Sequence, residues 1–240
     1  MASIVMSTAM RRGLGLLLVV EGLLAFAPVL ILGAAIGWPA SLDDPAAVQL
    51  AAIAATPHAV AAGYGVYLLY SLLVLPVMAG VAGLALARLD RPWALSVVGF
   101  AALSALARAI GILRWLTVMP ALAQARQADP ASAASIEQLF DAINAYGGGI
   151  GELLGVSLCM ALSLGLLAIA AWRSGAASGL PRGFSATALA VALLLAGLAL
   201  PSLGIAIEVP MALAVSALSL WMLALGAWCL WPIPRPVDRR

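Results

Sequence analysis

Residues 93–119 read WALSVVGFAALSALARAIGILRWLTVM. The run exceeds the ~20 apolar residues that a ~30 Å hydrocarbon core requires, yet it carries two arginines, Arg108 and Arg114. Ionisable groups at membrane depth are costly and ordinarily face a bundle interior or a wet cavity. The stretch is therefore a membrane span with a marked interior. Glu21 and Glu152 stand in other apolar runs and complete a set of four charges able to neutralise one another.

Composition extends the membrane reading to the whole chain. The 240 residues are 65% hydrophobic and 9% charged, with a mean hydropathy of +1.11, whereas soluble domains carry about a quarter charged residues. A net charge of +2 without a basic stripe excludes a nucleic-acid footprint. His58 is the single histidine, which excludes a bis-His haem within one chain and any His-rich metal site. Cys159 and Cys229 fall in spans at different depths, so they read as buried, unpaired thiols. No cofactor or metal is implied. Walker A, HExxH and GxSxG motifs are absent, and no connector is long enough to house soluble chemistry.

Punctuated apolar runs place six spans at about 13–37, 59–87, 93–119, 148–172, 184–207 and 210–231. The expected fold is a single all-α integral membrane bundle (1–240) of six transmembrane helices with two short extracytoplasmic interfacial helices. With the N-terminus in the cytoplasm, that side holds Arg11, Arg12, Arg88, Arg91, Arg173, Arg182, Arg235, Arg239 and Arg240, against Arg126 alone outside. Arginines in short loops resist translocation, so both termini should be cytoplasmic in a bacterial inner membrane. Trp93, Trp172, Trp228 and Trp231 at inner ends, with Trp38 and Trp115 towards outer ones, fit an interfacial belt.

The outer connectors share a design. Asp44-Pro45 and Asp129-Pro130 each set a capping acid before a proline suited to a first helical position. Ile136, Leu139, Phe140 and Ile143 then follow helical spacing, and Gly147-Gly148-Gly149 should stop that helix. Both connector helices should lie along the outer interface or roof the bundle, as packing helices ahead of ligand lids. Pro28, Pro76 and Pro201 permit kinks inside spans, and Gly151/Gly155 has a GxxxG spacing suited to close helix approach.

At 1.5 Å per residue, Arg114 lies roughly 8 Å and Glu152 roughly 6 Å below the outer surface, while Arg108 lies near 17 Å and Glu21 near 24 Å. These depths suggest two ion pairs, Arg114–Glu152 and Arg108–Glu21. The two arginines leave their span about 240° apart, which makes that span central. Tyr64, Tyr67 and Tyr70 line one face of the second span, and His58 stands at its outer mouth. They form a candidate vestibule, with interfacial anchoring or packing preferred for the tyrosines and a solvated loop position for His58.

The run RAIGILRWLTVMPALA (108–123), the run YGGGIGELLG (146–155) and the loop from Arg173-Ser-Gly to Leu180-Pro-Arg182 together resemble bacterial membrane proteins grouped as domain of unknown function 4386. That resemblance implies a multi-pass membrane protein and assigns no reaction. Where such relatives often carry a histidine after the glutamate, this chain has Leu153, which weakens a proton-relay or metal role for Glu152. The leading functional reading is a non-enzymatic structural or regulatory membrane protein whose Arg–Glu pairs lock the bundle. The alternative is a small secondary transporter or solute-binding protein using the charged cluster; an intramembrane enzyme ranks third. Its partners are the lipid bilayer and, beyond that, either another membrane protein or further copies of itself.

Overall fold

A computed structural model describes residues 6–86, 91–175 and 178–232. Their helices are α1 (Thr8–Leu24), α2 (Ala27–Ile36), α3 (Ala46–Ala55), α4 (Pro57–Leu86), α5 (Arg91–Leu116), α6 (Val118–Ala128), α7 (Ala133–Gly148), α8 (Met160–Ser174), α9 (Arg182–Gly197) and α10 (Met211–Leu230). A π-helical stretch, Gly149–Cys159, joins α7 to α8. Arg88, Arg235, Arg239 and Arg240, which carried part of the orientation argument, lie outside the described residues.

Prolines set the breaks. A helical proline loses one backbone bond and presses on the carbonyl four residues upstream. α1 ends at Leu24, four residues before Pro28, and α2 restarts with that proline in its first turn. α5 ends at Leu116, four before Pro120, and the Thr117 hydroxyl donates to the Leu113 carbonyl at 2.7 Å. α9 ends at Gly197, four before Pro201, and a 3-10 turn follows. Only Pro76 is accommodated without a break, inside α4.

The protein is an all-α membrane bundle with, among the described residues, five apolar helical segments long enough to cross a bilayer: Thr8–Ile36, Pro57–Ala85, Arg91–Ala128, Pro130–Ser174 and Met211–Leu230. The expected span 184–207 is instead the 16-residue α9, because Pro201 ends it early. Its link to α10 is accordingly the stretch 198–210, turns and one short 3-10 helix without α-helix, in place of the expected tight hairpin. The glycine triplet also departs from expectation. Gly149 is right-handed helical (φ −56°, ψ −41°), and the helix runs on through it. Glycine there serves close packing: a Cβ on Gly147 would strike the Arg114 side chain at 2.6 Å.

α1, α4, α5, the π stretch with α8, α9 and α10 follow one another as packed neighbours, and α10 returns to α1 to close the ring. α5 packs against α4 and against the π stretch and α8, as the opposed directions of its arginines suggested. Buried serines tie neighbours together by donating to carbonyls. Ser104 reaches Gly155 at 2.8 Å, Ser163 reaches Val97 at 2.8 Å, and Ser157 reaches Leu195 at 2.7 Å. Each satisfies a hydroxyl that would be expensive to bury alone.

The α1–α10 seam is built on small residues. A Cβ on Gly226 would meet the Gly15 carbonyl at 2.9 Å, and one on Gly22 would meet Leu223 at 2.7 Å. Arg11 crosses the end of this seam. It donates to the Trp231 carbonyl at 3.3 Å and to that of Trp228, and its guanidinium lies 4.5 Å from the Trp228 ring centroid. It thereby adds charged donors to two carbonyls at the C-terminal end of α10, where helical acceptors run short of partners.

Two hydrophobic cores result. One fills the ring, around Leu18, Met78, Met160, Leu164 and Leu225. The other lies where α2, α3, α6 and α7 meet the ends of α4 and α5, around Leu32, Leu50, Ile53, Met119 and Phe140. Trp115, expected near the interface as an anchor, is only 3% exposed and belongs to this second core. Of the two capping acids, Asp129 accepts from the Ala131 amide at 3.1 Å, whereas α3 takes Pro45 as its N-cap and Asp44 makes no side-chain cap bond.

Candidate functional site

A polar cavity lies between the two cores, with Val156 of the inner core and Tyr64, Ile112 and Trp115 of the outer one in its wall. Arg108, Arg114, Glu152, Tyr67 and Trp38 also line it. Its volume is about 50 Å³, which at ~10–15 Å³ per water gives room for about three to five waters. Three of the four marked charges therefore meet in one place. Glu21 is not among the lining residues, and His58 is exposed at the start of α4, away from the wall.

Local backbone structure explains the convergence. Gly111 and Gly151 let α5 and the π stretch approach until a Cβ on Gly111 would sit 2.8 Å from the Gly151 Cα. Arg114 leaves α5 one turn beyond that contact and lies along Gly147. Its Nη1 donates to the Gly111 carbonyl at 2.6 Å and its Nε to Asn144 Oδ1 at 3.2 Å. Its guanidinium is 5.4 Å from the Trp115 ring centroid. Arg108 lines the same cavity from further along α5, with its guanidinium 4.5 Å from the Tyr70 ring centroid, and is only 4% exposed. Both arginines thus use cation–π contacts, which gain strength where water is excluded.

An Arg–Glu bridge does form in the bundle, between Arg126 of α6 and Glu137 of α7 at 2.8 Å; it is the one ion pair among the described residues. Neither pairing drawn from depth, Arg114–Glu152 or Arg108–Glu21, forms a contact ion pair. Estimated depth located the right helices but not the partners. The partners found here are a carbonyl and an amide oxygen for Arg114 and ring faces for both arginines, none of which carries a charge visible in sequence. Glu152 stands exposed at the cavity mouth. Glu21 is fully buried, and neither of its carboxylate oxygens has a hydrogen-bond partner.

The tyrosine row forms an aromatic wall. Tyr64 stacks on Trp115 at 4.9 Å with ring planes 4° apart, and Trp115 meets Phe140 edge-on at 6.1 Å. Tyr67 lies 6.0 Å from both Trp38 and Tyr70, which passes the wall on to Arg108. Sequence reasoning missed Trp38, Trp115 and Asn144 as parts of this site. The helical offset from Arg114 to Trp115 gave no hint that the ring would fold back under the guanidinium. Among the described residues no group of three His, Cys, Asp or Glu could hold a metal.

Residues 13–226 match a protein family described as Domain of unknown function (DUF4386). The chain belongs to the DUF4386 family. It is a multi-pass membrane protein of a bacterial family. The match takes in all four marked charges and the whole cavity wall, so the site is built within the family's own extent. No curated protein matches the chain, and no solved structure matches it.

Proposed function

We propose that this DUF4386 protein is a non-enzymatic structural or regulatory component of the bacterial inner membrane, whose outer polar cluster fixes α5 between α4 and the α7–π helix. The observation that carries this reading is the double anchorage of α5. Arg108 leans on Tyr70 of α4, while Arg114 binds Asn144 of α7. Hydrogen bonds from a charged group are each worth about 1.5–3 kcal/mol, enough to fix helix register where apolar packing alone is permissive.

The reading includes six crossings with both termini in the cytoplasm and with α3 and α7 as outer roofing helices. The Arg11 contact with Trp228 and Trp231 supports it, because the start of α1 and the end of α10 then share one membrane face. A shared face requires an even number of crossings. The five long segments plus α9, whose 16 residues span about 24 Å, satisfy that parity. Nine arginines against one across the connectors supply the orientation.

The second reading, a small solute transporter, draws support from the cavity's charged lining, but the cavity is water-sized, well below the ~300–1,000 Å³ of ordinary small-molecule sites. A double-mutant cycle separates the two. Arg114→Gln and Asn144→Ala should each lower unfolding stability, and the double variant should lose less than their sum. Variants that keep full stability while abolishing uptake of a solute would overturn the structural reading in favour of transport.

A further inference from the structure

Two donors in the cavity wall have nothing to donate to. The Tyr64 hydroxyl and the Arg108 Nε are both buried without a hydrogen-bond partner, in side chains 2% and 4% exposed. Arginine has no acceptor capacity, so a partner missing from Nε must be an acceptor. Arg114 stands in the same wall, half-buried and already held by Gly111 and Asn144. Trp38, Tyr67 and Trp115, with Leu42, Ile112 and Val156, make much of the remaining wall apolar or aromatic, which lowers the local dielectric and strengthens charge interactions inside. Glu152, the acid in the lining, stands exposed at the mouth.

We propose that the cavity is an oxyanion site, which takes a single phosphate or carboxylate group between Arg108 and Arg114 with the Tyr64 hydroxyl as a third donor. The group comes either as a free ion from the outer aqueous phase or on the headgroup of an anionic lipid. The cavity's size suits one such group and not a larger solute. Glu152 at the rim opposes entry of negative charge and so sets the affinity from outside the donor set. This inference goes beyond the structural reading and does not depend on the number of crossings.

The test uses the full chain purified in an uncharged detergent. Thermal unfolding is followed against inorganic phosphate at constant ionic strength over a chloride background. It is repeated in nanodiscs of phosphatidylcholine with and without phosphatidylglycerol. A saturable rise in Tm with phosphate in detergent identifies a free ion, and a rise confined to phosphatidylglycerol discs identifies a lipid headgroup; either supports the site. Tyr64→Phe keeps the stack on Trp115 and removes only an unpartnered hydroxyl. It should fold with unligated Tm equal to or above the parent while raising the half-saturating concentration at least about tenfold, the lower worth of one hydrogen bond to a charged acceptor. Glu152→Gln should lower that concentration. No saturable rise in either medium, or a Tyr64→Phe protein with unchanged half-saturation, would overturn the proposal.

Discussion

Gly111→Ala should destabilise the protein although alanine is the better helix former. Its new Cβ would lie 2.8 Å from the Gly151 Cα and 3.0 Å from the Gly147 carbonyl oxygen. The first distance is about 0.6 Å inside the 3.4 Å at which ordinary contact begins. Both obstacles are backbone, so the π stretch must move bodily away from α5. A shift of that size would stretch the Ser104–Gly155 bond from 2.8 Å to about 3.4 Å, the edge of hydrogen bonding. It would also thin the dispersion contacts along the seam by about a quarter or more. Overpacking of this kind costs about 1–3 kcal/mol, and alanine's helix propensity returns up to ~1 kcal/mol. The expected net loss is about 1 kcal/mol, within a range of ~0–2 kcal/mol. Gly99, on the same helix, has nothing within 4 Å of its Cβ position, so Gly99→Ala should instead gain up to ~1 kcal/mol. Gly151→Ala, with Gly111 Cα at 3.3 Å, should fall between them. Equilibrium unfolding in one detergent with linear extrapolation ranks the three. If Gly111→Ala proves as stable as Gly99→Ala, α5 and the π stretch do not touch as described.

Two further outcomes follow from polar contacts at helix ends. Arg11→Met keeps the side-chain length but removes the donors to Trp228 and Trp231, so stability should fall by about 1–2 kcal/mol. Hydrogen exchange should quicken first across 226–231, and unchanged protection there would contradict the capping role. Asp129, between α6 and α7, has its carboxyl held below the ordinary carboxylate range by the Ser132 hydroxyl and the Ala131 amide. A depressed folded pKa means that the unfolded chain binds the proton more readily. The contribution of Asp129 is therefore complete above its ordinary value near ~3.9 and lost as pH falls through the lower folded value. Acid titration of the parent against Asp129→Asn should show their stability difference shrinking in that window, and a constant difference would refute it.

The sequence carried the membrane architecture because apolar run length is a one-dimensional property. Pro28 and Pro201 also acted as their chemistry requires, although the full termination of α9 at Gly197 went beyond a kink. Gly147-Gly148-Gly149 misled because glycine's link with helix ends rests on its access to positive φ, whereas here its lack of a Cβ was the property in use. The site's helices were legible and its contacts were not. Charge invited a pairing of Arg108 with Glu21, but whether a guanidinium rests on a carboxylate or on a ring such as Tyr70 is decided by side-chain packing between helices distant in sequence. Asn144 escaped notice for the same reason: an uncharged amide on an amphipathic helix gives no signal until Arg114 is seen beside it.

The closure of α1 upon α10 has a consequence for biogenesis. α1 leaves the ribosome before the other helices of the ring, presenting Gly15, Gly22 and Arg11 towards a neighbour made after all of them. Until α10 enters the bilayer, that flank of α1 meets lipid, and the ring stands open as a horseshoe along one side. Insertion of α10 is then the step that seals the ring, so a chain that stalls or is cut before α10 exposes an unfinished seam by which quality-control proteases can recognise it.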